Sequence, residues 1–441
     1  MADTHPVPPL LSLDDALVRL LAVARERVIP ETEKLGTFDA LGRVLARSVV
    51  AALDVPPADN SAMDGYAMRA ADVPCAGTVL PVSQRLPAGV VGAALQAGTA
   101  VRLFTGAQVP VGADAVVMQE QCEALADAAG AAGSAGAAGT ALGSVRLAAV
   151  PTAGQWIRRQ GEDVRHGAEV LAAGARLTPQ ALGLAASVGA SRLTVRRRPR
   201  VALFSTGDEL VMPGESLRPG AIYNSNRFML RGLLQAAGCE VTDLGIVPDR
   251  LDATREALRT AARHNDLILT SGGVSVGEED HVKPAVRCEG WLEAWALAIK
   301  PGKPLAFGAV RRAESQDSAV RREDGQSEAL FIGLPGNPVS SFVTFLLAVG
   351  PVLRAIQGCP VALPPAVTVR ADFDWPRPDK RREFLRARFN SAGGVELFSN
   401  QSSGVLTSAV WADGLVDLPS SQPVQRGDMV RLLLLSSLIG A

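Results

Sequence analysis

The chain has 441 residues, a formal net charge of −1 and 47% hydrophobic residues. That length exceeds one hydrophobic core and predicts roughly two to four domains. The near-zero charge excludes a general nucleic-acid binder, whose phosphate contacts need surplus Lys and Arg. The longest apolar stretches, such as residues 342–353, fall short of a membrane span and contain Gly and Pro. The polar, proline-rich residues 1–9 do not have the form of a signal peptide. Cys75, Cys122, Cys239, Cys288 and Cys359 include no CxxC, which reads as reduced thiols in a cytoplasmic protein without structural zinc.

In chain order, SLDDALVRLLAVA (12–24) predicts an amphipathic helix with Ser12 as cap and acids in the first turn. Paired prolines and Gly65 then rule out a continuous helix through 53–69, and short Val/Leu runs broken by Gly and Pro predict a small β-rich domain to about 150. Residues 124–144, almost all Ala, Gly and Ser, carry too little large apolar surface for a packed element and read as an insertion. TPQALGLAASVG (178–189) predicts a helix with Pro179 in its first turn, and RRRPR (196–200) reads as a solvated linker.

From 200 to 357 strand and helix alternate, which predicts parallel strands joined by right-handed crossovers: strands at 201–205, 241–247, 267–271 and 330–333, helices at 226–237, 253–264, about 280–289 and 338–356. The charged stretch 311–327 reads as an exposed loop, and the prolines and alternating runs after Pro360 as a compact β domain. The expected organisation is a multidomain α/β protein with a linker domain (7–53 and 151–197), an inserted β-rich domain (54–150), a three-layer α/β domain (198–360) and a C-terminal β domain (361–441).

Four apolar runs stop at glycine-rich turns: VALFSTGDEL (201–210), LGIVPD (244–249), LILTSGGVSVGEED (267–280) and LFIGLPGNPVSS (330–341). Ligands of open α/β sheets collect outside the carboxyl ends of the strands, and these ends carry Asp208, Glu209, Asp249, Glu278, Glu279 and Asp280 beside bare backbone. Carboxylates beside exposed amides suggest a phosphorylated ligand held through a metal ion. Ser271, Gly272, Gly273 and Ser275 of one turn, with Pro335, Gly336, Asn337 and Pro338 of another, are the candidate ligand-binding backbone. Asn337 reads as a helix cap and Pro338 as the first helical residue, which would leave amide N–H groups free for an anion. Neither a GxxxxGK[ST] loop nor a GxGxxG fingerprint occurs. In AIKPGKPLAFG (298–308), Lys300 and Lys303 flank a Pro-Gly turn, and two close ammonium groups imply an oxyanion between them unless both are solvated.

DNSAMDGYA (59–67), RLFTGAQVP (102–110), RRQGEDVRHG (158–167), FSTGDEL, SGGVSVGEED, IKPGKP and GLPGNPVSS, in this order, resemble the molybdopterin molybdenumtransferases, the MoeA family, and the E domains of gephyrin and plant Cnx proteins. The resemblance spans about residues 10–435. It implies insertion of molybdate into adenylylated molybdopterin with release of AMP, and a divalent cation such as Mg²⁺ held by Glu209 and Asp280, with Asp249 in the same crevice. It implies a molybdate pocket of Lys300, Lys303, Arg386 and Ser403. Asp64 and Thr105 match functional positions of the small β domain, which in the family completes a partner's site, so a homodimer is expected; Asp163 is a cleft residue by the same analogy. A separate molybdopterin adenylyltransferase would be a further partner. The chain departs from the pattern at Ala296, where relatives carry a cation, and at Gln108, where proline is usual. Adenylylation itself, or a non-catalytic gephyrin-like scaffold, are the alternatives.

Overall fold

The runs that end at glycine become the buried strands of a mixed sheet in the computed structural model, which describes residues 10–125, 142–274, 281–312, 327–361 and 366–440. The strands are β1 (Arg200–Thr206), β2 (Glu240–Val247), β3 (Leu267–Ser271), β4 (Gly290–Ala296), β5 (Pro304–Arg311) and β6 (Glu328–Leu334), in the order β2-β1-β3-β6-β5-β4. The first four in that order are parallel; β1, β3 and β6 have the near-continuous apolar composition of strands covered on both faces, while β2, at the edge, is largely half-buried. The sheet is not parallel throughout: β4 and β5 pair antiparallel with each other, and β5 antiparallel with β6. This hairpin was not legible in the sequence, because its connection, residues 297–303, is longer than the two-residue turns that mark hairpins.

Helices Ser225–Ala236, Leu251–His264 and Val282–Glu289 cover the sheet, each within two residues of its expected start. The helix after β6 runs through Pro338–Ile356, 19 residues, so the apolar stretch does reach the length of a membrane span. Gly350 and Pro351 do not break it. Pro351 has no N–H for the Leu347 carbonyl, and a π-turn over Phe345–Val349, closed by Gly350 N–H to Phe345 O, accommodates the ring within a continuous helix. Nearly the whole helix is buried against the sheet, with Phe342, Val343, Leu346, Leu347 and Leu353 in the main core.

The N-terminal helix Leu13–Arg25 forms as its sequence dictates, with the Ser12 hydroxyl accepting from Asp15 N at 3.0 Å. Its apolar face, however, does not join the linker domain. Leu13, Leu17 and Leu20 are buried in the same core as β1, β3 and β6, and each such side chain contributes about 1.5–3 kcal/mol. The linker has its own small core, built on Leu45, Val49, Leu177, Leu193 and Val195, and on antiparallel pairing of Thr32–Gly36 with Arg192–Arg196. Helix Pro179–Ser187 belongs to it, capped by Thr178. The RRRPR run is solvated only in part: Arg198 and Arg200 are exposed, but Arg197 is bidentate to Asp266 at 2.7 and 2.9 Å and Arg196 donates to Ile29 O, so these two cations fasten linker to α/β domain.

Two further six-stranded sheets complete the molecule. One comprises Gly65–Met68, Val79–Leu86, Ala100–Leu103, Ala115–Met118, Cys122–Leu125 and Ser144–Leu147. The other, in the C-terminal domain, includes Arg382–Phe389, Gly414–Leu418 and Met429–Leu434, and takes its edge strand from outside that domain. That edge is Ile299–Lys300, in the β4–β5 connection, which pairs parallel with Arg382–Glu383. The C-terminal sheet is thereby stitched to the carboxyl edge of the central one.

Candidate active site

All four parallel strands deliver their carboxyl ends to one cleft of about 1030 Å³. After β1 come Thr206, Gly207 and Glu209; after β2, Asp249; after β3, Gly272, Gly273 and Val274; after β6, Pro335, Gly336, Asn337 and Pro338. The β4–β5 connection adds Lys300 and Lys303, and the C-terminal domain adds Arg381 and Gln401–Gly404. Expected residues Glu209, Asp249, Ser271, Gly272, Gly273, Lys300, Lys303, Pro335, Gly336, Asn337, Pro338 and Ser403 therefore share one wall system. Ser275 and Asp280 lie outside the described residues, as do most of the 124–144 and 311–327 insertions.

The acids follow the neighbouring strands β2 and β1 at one side of the strand order, and the lysines sit on the β4–β5 connection at the other. Glu209 is exposed, and its carboxylate has no hydrogen bond or ion pair among the described residues. No cluster of three or more His, Cys, Asp or Glu side chains poised for a metal occurs among the described residues, which do not include Asp280.

Lys300 and Lys303 are not equivalent. Lys300 Nζ lies 3.1 Å from Glu383 Oε1 and 3.5 Å from Asp379 Oδ2, so its charge is already countered. Lys300 therefore needs no anion to offset repulsion from Lys303. Lys303 is exposed and has no ion pair among the described residues. Arg381, which the sequence reading missed, lines the cleft and is bidentate to Asp379 through Nε and Nη2, both at 3.0 Å. That pairing, the largest effect, holds the Asp379 carboxyl far below its ordinary range.

Arg386 is not on the cleft wall. It is 1% exposed; Nε donates to Ser408 Oγ at 3.1 Å, Nη1 to Phe384 O and Nη2 to Ser402 O, and burial pushes its guanidinium down to about 10. The alternation of Arg382–Phe389 turns this side chain inward, where it braces the loop that carries Ser402 and Ser403. Asn337 occupies the N-cap position, but its side chain does not cap. Nδ2 donates to Ser403 Oγ at 3.0 Å, and the Val339 N–H is taken by Ser403 O at 2.9 Å, so fewer amides remain for an anion than the sequence implied.

Asn226 was also missed. Its Nδ2 donates to Ser271 Oγ at 2.8 Å and Gly336 O at 2.7 Å, tying together the turns after β3 and β6. An asparagine just inside a helix start was the available signal, and caps and turns produce it so often that it points nowhere alone.

Asp64, Thr105 and Asp163 do not line this cleft. In the inserted sheet, Asp64 Oδ1 accepts from Thr105 Oγ1 and from Thr105 N, both at 2.7 Å, and these bonds hold its carboxyl below the ordinary range. Arg102 sits beside the pair, 5.0 Å over the rings of both Tyr66 and Phe104. Asp163 is exposed and bonds through its backbone to Val55 O.

Family models match the MoeA N-terminal region (domain I and II) at residues 11–189, a probable molybdopterin binding domain at 202–355, and the MoeA C-terminal region (domain IV) at 368–435. The chain is 37% identical to a molybdopterin molybdenumtransferase of Haemophilus influenzae over 88% of its length and 89% of the relative's. It is 35% identical to molybdopterin molybdenumtransferase 2 of Mycobacterium tuberculosis over 91% and 93%. It resembles gephyrin of Dictyostelium discoideum at 29% identity, over 96% of this chain and 62% of that one. A molybdopterin biosynthesis MoeA protein from Pyrococcus horikoshii superposes with TM-score 0.76 at 28% identity, over 97% of this chain and all of that one.

Proposed function

This chain belongs to the molybdopterin molybdenumtransferase family, transferases that insert molybdenum in molybdenum cofactor biosynthesis, and on that premise we propose how its cleft works. The observation that carries the reading is the opposition, across one cleft, of Glu209 and Asp249 to Lys303, Lys300, Arg381 and Ser403, with the Ser271–Gly273 and Pro335–Pro338 turns between them.

Adenylylated molybdopterin would lie across these turns with its phosphates toward Glu209 and Asp249. A divalent cation such as Mg²⁺ fits that end, because carboxylate oxygens are hard donors and Glu209 has no competing cation among the described residues. Bound there, it would neutralise phosphate charge. Molybdate would be the substrate at the other end, where Lys303 offers an unengaged ammonium, Lys300 a positioned one and Ser403 a hydroxyl. Arg381 can contribute a planar fork only with donors not already given to Asp379. As the dithiolene sulfurs bond to molybdenum, a displaced oxide leaves as water with the two thiol protons. Water then cleaves the phosphoanhydride, AMP departs, and the terminal phosphate stays on the pterin.

The Asp64–Thr105 pair, remote from the chain's own cleft wall, supports a homodimer in which the inserted domain of one copy completes the cleft of the other. A separate adenylyltransferase would supply the substrate, and unpaired cysteines suit a cytoplasmic setting. Incubation with adenylylated molybdopterin, Mg²⁺ and molybdate tests the reading: AMP release coupled to cofactor formation is expected, and absence of both would refute it.

A further inference from the structure

Lys300 reaches the cleft on the edge strand of the C-terminal sheet, and the parallel register sets it directly beside Glu383. Side chains paired in this way share one face, so sheet pairing, and not side-chain flexibility, brings the ammonium to the carboxylate. Glu383 is 1% exposed, and its Oε2 is fixed by Trp375 Nε1 at 2.9 Å and Asp379 N at 2.8 Å. That leaves Oε1 toward Lys300 as a close ion pair without the alignment of a hydrogen bond. Asp379 adds a second negative charge at 3.5 Å and is itself locked by Arg381. Two carboxylates of the C-terminal domain thus hold one ammonium of the cleft, while Lys303 three residues later is left unpaired among the described residues.

We infer that Glu383 is a positioning residue for the oxyanion: it fixes Lys300 Nζ in the cleft and cancels part of its field, so that molybdate is oriented but not held too tightly to react. The inference rests on the assignment of the oxyanion to the lysine end of the cleft. A dianion arriving there must share Lys300 with a buried charge, which lowers its affinity, and in return meets a donor that cannot swing away. Preorganisation of that kind favours turnover over binding.

The test uses the full-length protein. Equilibrium dialysis gives the molybdate dissociation constant, and cofactor formation at saturating adenylylated molybdopterin gives turnover, for Glu383→Gln, Asp379→Asn, Lys300→Met and the Lys300→Met/Glu383→Gln pair. Glu383→Gln should bind molybdate about three- to tenfold more tightly, because the competing charge is gone, and turn over roughly fivefold or more slowly, because Nζ is no longer fixed. Asp379→Asn, nearer the surface, should shift both in the same direction by less, and it decides the matter if Glu383→Gln does not fold. In the Lys300→Met background Glu383→Gln should no longer slow turnover, since there is no ammonium left to fix, whereas loss of its charge should still tighten binding. Unchanged or weaker binding in both carboxylate variants, or a slowing of turnover by Glu383→Gln that survives without Lys300, overturns the inference. If Lys300→Met and Lys303→Ala both leave molybdate binding intact, the oxyanion assignment itself falls. If Lys300→Met weakens binding while Glu383→Gln does nothing, only the role of Glu383 falls.

Discussion

Gly273 stands where β3 hands the chain to the cleft, and its replacement by alanine separates backbone geometry from ligand binding. Its φ is +66°, a region that L residues enter at a cost of about 1 kcal/mol or more. A methyl group there would come well inside 3.0 Å of Val282 Cγ2 and within 2.8 Å of Thr206 Oγ1. Neither neighbour can give way: Val282 is fully buried among Phe204, Ala285 and Val286, and Thr206 ends strand β1, 4% exposed. Overpacking at such a site costs about 1–3 kcal/mol, so Gly273→Ala should destabilise the α/β domain by about 2–4 kcal/mol in all. Urea unfolding followed by tryptophan emission, to which Trp291 and Trp295 of β4 contribute, should show the midpoint falling by about 1 M. Gly336→Ala is the companion. A methyl at Gly336 meets nothing within 4 Å and its φ is not positive, so stability should stay within about 0.5 kcal/mol of the parent. Activity should still fall, since the methyl would narrow the cleft. A loss below about 0.5 kcal/mol for Gly273→Ala would refute the assignment of a strained, packed turn here.

Lys303→Ala should raise half-saturating molybdate about tenfold, and Ala296→Lys, opposite Pro304 of the cleft wall, should lower it severalfold, since one charge beside a partly screened dianion is worth about 1 kcal/mol or more; titration at fixed ionic strength checks both. Mixing Asp64→Asn with Glu209→Ala protein, each expected to be inactive alone, and allowing subunits to exchange should restore activity, because one cleft of each hybrid then has both functional elements; no recovery would mean the inserted domain serves its own chain. Arg370 is the main reason the Asp372 carboxyl is pulled down to about 2, so the stability it contributes is present above its unfolded value of 3.8 and is lost as pH falls toward 2. Asp372→Asn should therefore be less stable than the parent above pH 4 and converge with it near pH 2 in acid unfolding curves. Replacing residues 126–142 by a short turn should leave unfolding and activity nearly unchanged, because Leu125 already pairs with Ser144 across the hairpin; loss of the folded protein on gel filtration would count against it.

The sequence alone determined the helices with local punctuation and the strands with continuous apolar runs. Ser12, Thr178 and Pro179 mark helix starts through bonds to their own neighbours, and β1, β3 and β6 are buried on both faces, so composition suffices to identify them. The same logic located the cleft, because glycine turns after parallel strands must all open on one edge. What only the tertiary structure decided are the partnerships between segments far apart in the chain. Arg386 and Arg381 lie five residues apart in one strand region, and nothing local says that the first is turned into the core while the second reaches the cleft. Lys300 meets Glu383 through a parallel register whose partners lie more than eighty residues apart, and within the RRRPR run Arg197 is paired by Asp266 and Arg196 bound by the Ile29 carbonyl, both distant in sequence. The N-terminal helix carries an apolar stripe that any core could have buried; the stripe says that it must be covered, and only packing chose the α/β domain over the linker. Local hydrogen bonds and periodicity are written in adjacent residues, whereas charge pairing and the choice of core depend on chain crossings whose energies appear only once the strands have found their register.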